Sequence, residues 1–213
     1  MTQTALLGSG IAEMGLDVSF VTQAKLLTFL GLLHKWNKVY NLTAVRDPLE
    51  MVTLHILDSL SVLPYIRCKN LLDVGAGAGL PSIPLAICLP ELKVTAIDAV
   101  QKKVSFMRQA KAQLKLTNFN AVHARIEDQT VEDLNAGEGF EVITSRAFSE
   151  IALFIKLTQH LLTDDGVWLA MKGIIPEREF EKAGVIPAEI KVLKVAGLDA
   201  ERHLIVINKV STK

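Results

Sequence analysis

A hydrophobic segment that leads directly into a glycine-rich turn constrains the fold of this chain more than any other feature. Leu71-Leu72-Asp73-Val74 is followed by Gly75-Ala76-Gly77-Ala78-Gly79, and a helix is expected to begin at Leu80-Pro81. Glycine lets the main chain approach a ligand closely, and a helix N-terminus adds a partial positive charge. A tight strand-to-helix turn also needs glycine, but three alternate glycines favour a ligand-binding turn.

Short apolar segments alternate with amphipathic segments after Asn70. Apolar strands separated by helices are typical of a parallel sheet covered on both faces. The last two apolar segments, 190–195 and 203–208, leave no room for a helix between them and predict a closing antiparallel hairpin. The sequence therefore predicts an α/β, Rossmann-like fold with a mostly parallel seven-stranded sheet. The other predicted strands are 71–74, 94–97, 121–124, 142–144 and 167–171, and the predicted helices are 82–89, 101–116, 130–136 and 149–163.

The first 66 residues have a helical pattern. One face of a helix predicted over 20–38 carries four leucines: Leu26, Leu27, Leu30 and Leu33. A further helix is predicted to begin at Asp47-Pro48 and to end before Pro64, because Asp47 can cap the helix and Pro48 has no N–H to leave unpaired. We therefore expect an N-terminal helical extension over 1–66 and an α/β domain over 67–213.

The composition is that of an ordinary globular protein. The 23 basic residues balance the 23 acidic ones, so the overall basic excess of many nucleic-acid-binding proteins is absent. The N-terminal residues lack the regions of a signal peptide, and no run of about 18 apolar residues occurs. Cys68, Cys88 and the five histidines lack metal-ligand spacing. We expect a cytoplasmic monomer without a metal ion or a membrane partner.

Asp98 ends the second predicted strand, 23 positions after Gly75. Nucleotide-binding α/β folds place a carboxylate at about this position, where it accepts hydrogen bonds from ribose hydroxyls. The GxGxG spacing of the turn differs from the GxGxxG of dinucleotide-binding folds, whose helix N-terminus receives a pyrophosphate. The turn and the terminal hairpin resemble those of class I methyltransferases. This resemblance favours S-adenosylmethionine, and NAD is the weaker alternative.

Candidate site residues also follow the third predicted strand. Ile126 is a candidate to pack on an adenine ring and Glu127 to contact its edge, although a solvated charged turn explains these residues nearly as well.

The residues at the ends of the fourth and fifth predicted strands indicate which methyl acceptors the chain suits. Ser145-Arg146-Ala147-Phe148 lacks both the [DNS]PP[YF] motif of exocyclic-amine methyltransferases and the nucleophilic cysteine of cytosine-C5 enzymes. N7 of guanine already has an exposed lone pair, so its methylation needs alignment rather than a base or a covalent nucleophile. At the fifth strand, Lys172 is a candidate contact for phosphate or substrate, or a strand-end lysine that extends into solvent.

Basic residues concentrate in two parts of the chain. Segment 101–120 has no acidic residue, and Arg108, Lys111 and Lys115 have the spacing of one helix face. A solvated face is the commoner explanation of such a stripe, so it supports RNA binding without proving it. The candidate RNA-binding residues are Lys35, Lys38, Arg108, Lys111 and Lys115, and Arg46, Lys102 and Lys103 lie in the same two regions.

Several separated motifs together resemble one family over nearly the whole chain. They are Lys35-Trp36-Asn37-Lys38-Val39-Tyr40-Asn41-Leu42-Thr43, His55-Ile56-Leu57-Asp58-Ser59, Asp73–Leu85, Arg125-Ile126-Glu127, Ser145-Arg146-Ala147, Lys172-Gly173 and Glu201-Arg202-His203-Leu204. In this order they resemble the bacterial small-subunit rRNA guanine-N7 methyltransferases, the RsmG or GidB family. The resemblance implies transfer of a methyl group from S-adenosylmethionine to N7 of a guanosine in 16S rRNA, conventionally guanosine 527 of the 530 loop.

The resemblance also implies roles for particular residues. Asn41, Arg146 and Lys172 become candidates to position the guanine or its phosphates. His55, Asp58 and Arg202 are candidates to fix the helical extension against the sheet. The implied cofactor contacts are Gly75, Leu80, Ile126, Glu127 and Arg146, to which the class I pattern adds Gly77 and Asp98.

The chain departs from the family pattern at two positions and leaves other functions open. Ala76 replaces a common serine or threonine and Ser82 a common glycine, which bears on cofactor affinity more than on activity. The expected partner is 16S rRNA or the small ribosomal subunit. The alternatives are a methyltransferase for another RNA or a small molecule, a non-catalytic ribosome-associated RNA-binding factor, and a nicotinamide oxidoreductase.

Overall fold

The computed structural model describes residues 1–146, 148 and 150–209. Ala147, in one of the family motifs, and Ser149, at the start of the predicted helix 149–163, lie outside the described residues. Within the described part, the chain forms a seven-stranded sheet in the order β3-β2-β1-β4-β5-β7-β6. The strands are β1 (Asn70–Val74), β2 (Lys93–Asp98), β3 (Phe119–His123), β4 (Phe140–Ser145), β5 (Leu162–Lys172), β6 (Glu189–Val192) and β7 (His203–Asn208).

Strands β1 to β5 are parallel, and β7 pairs antiparallel with both β5 and β6. The predicted closing hairpin is therefore confirmed, with β7 inserted between β5 and β6. Because the first five strands run the same way, their carboxyl ends meet at one edge of the sheet. We call this edge the carboxyl edge; ligands bind there in open α/β sheets.

Helices cover both faces of the sheet. They are α1 (Gln3–Glu13), α2 (Phe20–Tyr40), α3 (Pro48–Met51), α4 (Asp58–Leu60), α5 (Ser82–Cys88), α6 (Gln101–Leu114), α7 (Ile151–Thr158) and α8 (Glu177–Ala183), and a π-helical segment, Val52–Leu57, joins α3 to α4. Helices α1 to α6 share one hydrophobic core with one face, whereas α7 packs on the other. The division of the chain at residue 66 stays a prediction.

Local signals explain where the predicted N-terminal helices begin. Asp47 accepts hydrogen bonds from the backbone N–H groups of Leu49 and Glu50, with Pro48 as the first helical residue. Ser19 caps α2 by accepting a hydrogen bond from the N–H of Thr22. The leucine face of α2 is buried, apart from the partly buried Leu27.

The structure corrects three of the helices predicted after Asn70. Segment 130–136 forms a single turn rather than a helix, because Asn135 has a positive φ and Gly137 and Gly139 follow. Helix α6 ends at Leu114, two residues early, because Lys115 adopts the left-handed conformation. Strand β5 begins at Leu162, inside the predicted helix 149–163, because Leu162 pairs with Phe140 before a register shift.

Helix α8 has no counterpart among the predicted elements. Its sequence signals are Pro176 before the first turn, Glu177 and Glu179 within it, and Gly184 as a left-handed C-cap. These signals could have predicted the helix.

Candidate cofactor and substrate site

The glycine-rich turn lies at the carboxyl edge, between β1 and α5. Gly75, Gly77 and Gly79 all have positive φ angles, which non-glycine residues rarely adopt. A Cβ on Gly79 would collide with Ile83, so this glycine is needed for packing. A Cβ on Gly75 would meet no atom within 4 Å, and one on Gly77 would meet only the Gly75 oxygen, at 4.0 Å. The first two glycines therefore border open space that a ligand can occupy.

Asp98 lies beside this turn, as the sequence predicts from its place at the end of β2. Its Oδ2 accepts a hydrogen bond from the Gly77 N–H (2.9 Å), and its Oδ1 accepts one from the Val100 N–H (2.8 Å). The ammonium of Lys103 lies 3.6 Å from Oδ2. The buried carboxylate thus fixes the turn relative to β2. Its hydrogen bonding to ribose stays a prediction.

Asp73 is a further acidic group at the turn. Its Oδ2 accepts a hydrogen bond from the Ser82 N–H (3.3 Å), whereas Oδ1 has no hydrogen-bond partner among the described residues. Burial raises the pKa of this carboxyl to about 7, and hydrogen bonding to Ser82 and the charge of Arg146 offset the effect only in part. An unpartnered oxygen at this position suits a donor group of a ligand.

Asp73→Asn should make stability less dependent on pH. The carboxyl is protonated in the folded chain up to about pH 7 but loses its proton near pH 4 when unfolded, so the stability of the parent protein falls between these values and is constant above them. The free energy of unfolding of the variant, relative to the parent, should therefore rise by about 2–3 kcal/mol from about pH 5 to about pH 8 in urea titrations. The exposed Asp164→Asn is the control. A pH-independent difference would contradict the prediction.

The predicted adenine-contacting residues follow β3. Ile126 is buried, whereas Glu127 is exposed and accepts a hydrogen bond from Arg125 at 3.1 Å. Hydrogen bonds from its own backbone N–H and from Arg125 lower the pKa of Glu127. Strand β3 pairs with β2 so that Asp98 lies opposite His123. Ile126 follows β3 and therefore lies on the same side of the glycine-rich turn as Asp98. Their contact with adenine stays a prediction.

A cavity of about 430 Å³ lies at the same edge, between the π-helical segment and the ends of β4 and β5. Asp58 binds two guanidinium groups on its wall: its Oδ1 accepts from Arg202 Nε (2.9 Å) and its Oδ2 accepts from Arg146 Nη1 (3.3 Å). The predicted attachment of the helical extension to the sheet is therefore confirmed for Asp58 and Arg202. The lining residues are Val45, Leu54, His55, Asp58, Arg146, Met171, Lys172, Gly173 and Arg202.

His55 contributes an uncharged group to this cavity. Burial, followed by the charge of Arg146, lowers the pKa of its imidazole to about 4. Its Nε2 forms a hydrogen bond with Thr43 Oγ1 at 2.9 Å. His55 is therefore neutral near pH 7 and ties the loop after α2 to the π-helical segment.

Lys172 lines the cavity but is already bound within the protein. Its ammonium donates to both carboxylate oxygens of Glu179 (3.2 and 3.0 Å) and to the carbonyl oxygen of Phe148 (3.2 Å). Glu179 also accepts a hydrogen bond from the Ile151 N–H at the start of α7. Sequence reasoning missed Glu179, because it missed α8.

Asn41, the third substrate-positioning candidate, lies outside the cavity lining. It ends α2 in the left-handed conformation, and its side-chain oxygen accepts a hydrogen bond from Arg46 Nη2 at 2.6 Å. The structure therefore brings Arg146 and Lys172 together in one cavity and leaves Asn41 outside the cavity lining.

The candidate RNA-binding residues lie on two packed helices. Lys35 and Lys38 are exposed near the end of α2, and α2 packs against α6 through Phe29 and Phe106, whose ring centroids are 6.0 Å apart. Helix α6 begins at the carboxyl edge and runs away from it, so Lys115 lies at its far end. Arg108, Lys111 and Lys115 therefore lie on the half of α6 that is farther from the carboxyl edge, with Lys115 just after the last helical residue.

Three further observations concern the described part of the chain. No helix there is both long and apolar enough to cross a membrane. No three His, Cys, Asp or Glu side chains in the same part form a group that could hold a metal ion. Burial raises the pKa of both cysteine thiols, Cys68 and Cys88, to about 12, so each is protonated at neutral pH.

Comparisons with known proteins agree with this architecture. The profile of the family described as GidB, rRNA small subunit methyltransferase G, matches residues 22–205. The chain is 58% identical to ribosomal RNA small subunit methyltransferase G of Methylobacillus flagellatus, over 93% of this chain and 95% of the relative. It is 46% identical to the protein of the same name from Neisseria gonorrhoeae, over 98% of this chain and 100% of the relative.

Solved structures support the fold. The chain is similar to a SAM-dependent methyltransferase from Aquifex aeolicus, with a TM-score of 0.58 and 20% identity over 83% of this chain and 97% of that chain. The predicted class I methyltransferase fold is thereby confirmed. With a family profile that spans most of its length and a relative more than half identical to it, this chain belongs to the rRNA small subunit methyltransferase G family.

Proposed function

We propose that this protein transfers the methyl group of S-adenosylmethionine to N7 of a guanosine in 16S rRNA, guanosine 527 of the 530 loop. One observation carries the proposal: the open glycine turn and the arginine-lined cavity lie side by side at the carboxyl edge. Strands β1 and β4 are adjacent and parallel, so the turn after β1 and Arg146 after β4 are neighbours. The turn proposed for the donor and the cavity proposed for the acceptor thus share one edge, in a chain of an rRNA methyltransferase family.

The residues at the turn fit S-adenosylmethionine. Gly75 and Gly77 leave room at the main chain, Asp98 offers a carboxylate for ribose hydroxyls, and the unpartnered Asp73 oxygen can accept a hydrogen bond. Ile126 and Glu127 would contact the adenine, and Leu80 and Arg146 would be the remaining cofactor contacts. When bound, the cofactor supplies an electrophilic methyl group on a sulfonium.

The chain's own groups would align the acceptor rather than activate it. Guanine N7 loses no proton on methylation, so the site needs position and exclusion of water more than a general base. The two arginines around Asp58 leave the cavity with a net positive charge, which suits a phosphate of the target nucleotide. Because His55 is neutral, it does not repel the purine, which becomes positively charged on methylation.

The charge distribution supports RNA as the substrate. Segments 18–46 and 99–126 contain ten of the 23 basic residues and none of the 23 acidic ones. These segments include α2 and α6, which pack together, so basic residues concentrate in one part of a neutral chain, and of the ten only Lys103 and Arg125 pair with described carboxylates, those of Asp98 and Glu127. RNA binding depends on such local concentrations of positive charge more than on the total.

A methylation assay tests the proposal. Purified protein is incubated with labelled S-adenosylmethionine and with small subunits or 16S rRNA from cells that lack this modification. The modified base is then mapped by mass spectrometry of nuclease fragments. We expect one label per rRNA, at N7 of guanosine 527. Label on another base or another RNA contradicts the assignment, cofactor binding without transfer favours a non-catalytic factor, and binding of NADH instead favours an oxidoreductase.

A further inference from the structure

Four aromatic rings form a continuous ladder from the core to the surface beside the site. Phe29 and Phe106 are buried, and Phe106 packs against Trp36 with ring centroids 5.7 Å apart. Trp36 packs in turn against Tyr40, at 5.0 Å and an interplanar angle of 34°. Tyr40 ends the ladder and is 43% exposed. One side of its ring is thus supported by Trp36, while much of the side chain remains open to solvent.

Tyr40 lies at the end of a helix that contacts the cavity lining, because Asn37 of α2 donates a hydrogen bond to the carbonyl oxygen of Val45 (2.9 Å). Tyr40 is the last residue of α2, and the chain turns at Asn41 toward Thr43 and Val45. Thr43 bonds to His55, and both His55 and Val45 line the cavity. A nucleotide next to one in the cavity is therefore within reach of the end of α2.

The surroundings of Tyr40 suit a polyanion. Its helix and the loop that follows carry Lys25, Lys35, Lys38 and Arg46 without any acidic residue. The Arg46 guanidinium lies on the end of α2, where it donates to the Asn37 carbonyl and the Asn41 side chain. An exposed aromatic ring among basic residues is the usual arrangement for binding single-stranded nucleic acid.

We propose that Tyr40 is a stacking platform for an unpaired rRNA base that flanks the methylated guanosine. This inference rests on the proposed function and deepens it, because it assigns a residue to recognition of the loop around the target. Proteins recognise RNA mainly through unpaired bases that stack on aromatic side chains. Trp36 holds the ring of Tyr40 in place, so the side chain would lose little conformational freedom when a base stacks on it.

The experiment compares three variants in binding to an RNA hairpin that carries the 530-loop sequence. Tyr40→Leu keeps apolar cover over Trp36 but removes the aromatic face, and Tyr40→Phe keeps the face. Phe20→Leu is the matched control, because Phe20 lies at the opposite end of α2 and is 89% exposed. Each dissociation constant is measured at several salt concentrations, together with that of S-adenosylmethionine.

We expect Tyr40→Leu to weaken RNA binding about tenfold, with an unchanged salt dependence and unchanged cofactor affinity. Tyr40→Phe and Phe20→Leu should remain within about twofold of the parent protein. The platform is contradicted if Tyr40→Leu binds like the parent, if Phe20→Leu loses as much, or if Tyr40→Phe is equally weak. The last outcome would assign the effect to the hydroxyl group.

Abasic RNA provides the second arm of the test. Removal of one flanking base should weaken binding to the parent protein about as much as Tyr40→Leu does, and should have no further effect on that variant. If the losses of affinity caused by Tyr40→Leu and by base removal are additive at every flanking position, the stacking contact is contradicted. If the parent protein methylates guanosine 527 but Tyr40→Leu does not weaken RNA binding, the stacking platform is contradicted and the proposed function is not. Absence of rRNA methylation by the parent defeats the proposed function.

Discussion

Gly75→Leu is expected to lower the affinity for S-adenosylmethionine at least about a hundredfold, equivalent to about 2.7 kcal/mol. A Cβ at this position meets no atom within 4 Å, so the leucine side chain would extend into the open space beside the turn that we assign to the cofactor. The Cβ of the new side chain meets no atom of the protein itself. The variant should therefore lose more free energy of cofactor binding than free energy of unfolding. Calorimetry measures the loss of cofactor binding.

Gly15→Leu is the matched control for this substitution. Gly15 follows α1 and, like Gly75, has a positive φ and no atom within 4 Å of the added Cβ. Both leucines would be held in the left-handed region at a cost of about 1–2 kcal/mol, visible in thermal unfolding. Equal stability losses with a selective loss of cofactor binding at position 75 support the site. Tight binding by Gly75→Leu would place the cofactor elsewhere.

Asp58→Asn is expected to destabilise the protein by about 3 kcal/mol. The side chain of Asp58 is only 5% exposed and binds two guanidinium groups, each 27% exposed. Removal of the carboxylate charge leaves Arg146 and Arg202 facing each other without an anion, in a partly buried wall. Partial exposure of the arginines reduces the loss from the 3–5 kcal/mol or so typical of fully buried pairs. Urea unfolding measures the change.

Glu150→Gln is the control for Asp58→Asn. Glu150 pairs with Lys182 at 3.0 Å, but both side chains are largely exposed, so the loss should stay below about 0.5 kcal/mol. If Asp58→Asn costs no more than this surface substitution, the double ion pair contributes little. The assignment of Asp58 as the tie between the helical extension and the sheet would then fail.

The sequence predicted strands β1 to β5 because each contains a short apolar segment and is separated from the next strand by a helix or a turn. Boundaries failed where one residue's backbone decided the outcome. Lys115 and Asn135 adopt left-handed conformations that hydrophobic periodicity does not report. Leu162 pairs with Phe140 across a register shift, which local sequence cannot reveal.

The site was predictable where topology alone brings residues together. Gly77 and Asp98 follow neighbouring parallel strands, so their proximity follows from the strand order. Side-chain pairing was less accessible: the resemblance predicted the shared role of Asp58 and Arg202 but not the ion pair that joins them across 144 positions, and Lys172 is bound by Glu179 on a helix that was not predicted. Pairing of this kind depends on distances that only the folded chain defines.

The placement of β7 between β5 and β6 bears on how the chain is completed during synthesis. Residues 203–208, which are synthesised after the other six strands, supply the partner of β5, and Arg202 just before them supplies one of the two cations around Asp58. A nascent chain that stops short of them has an open strand edge and an unfinished cavity wall. The wall of the cavity is thus completed only after the glycine-rich turn has already emerged.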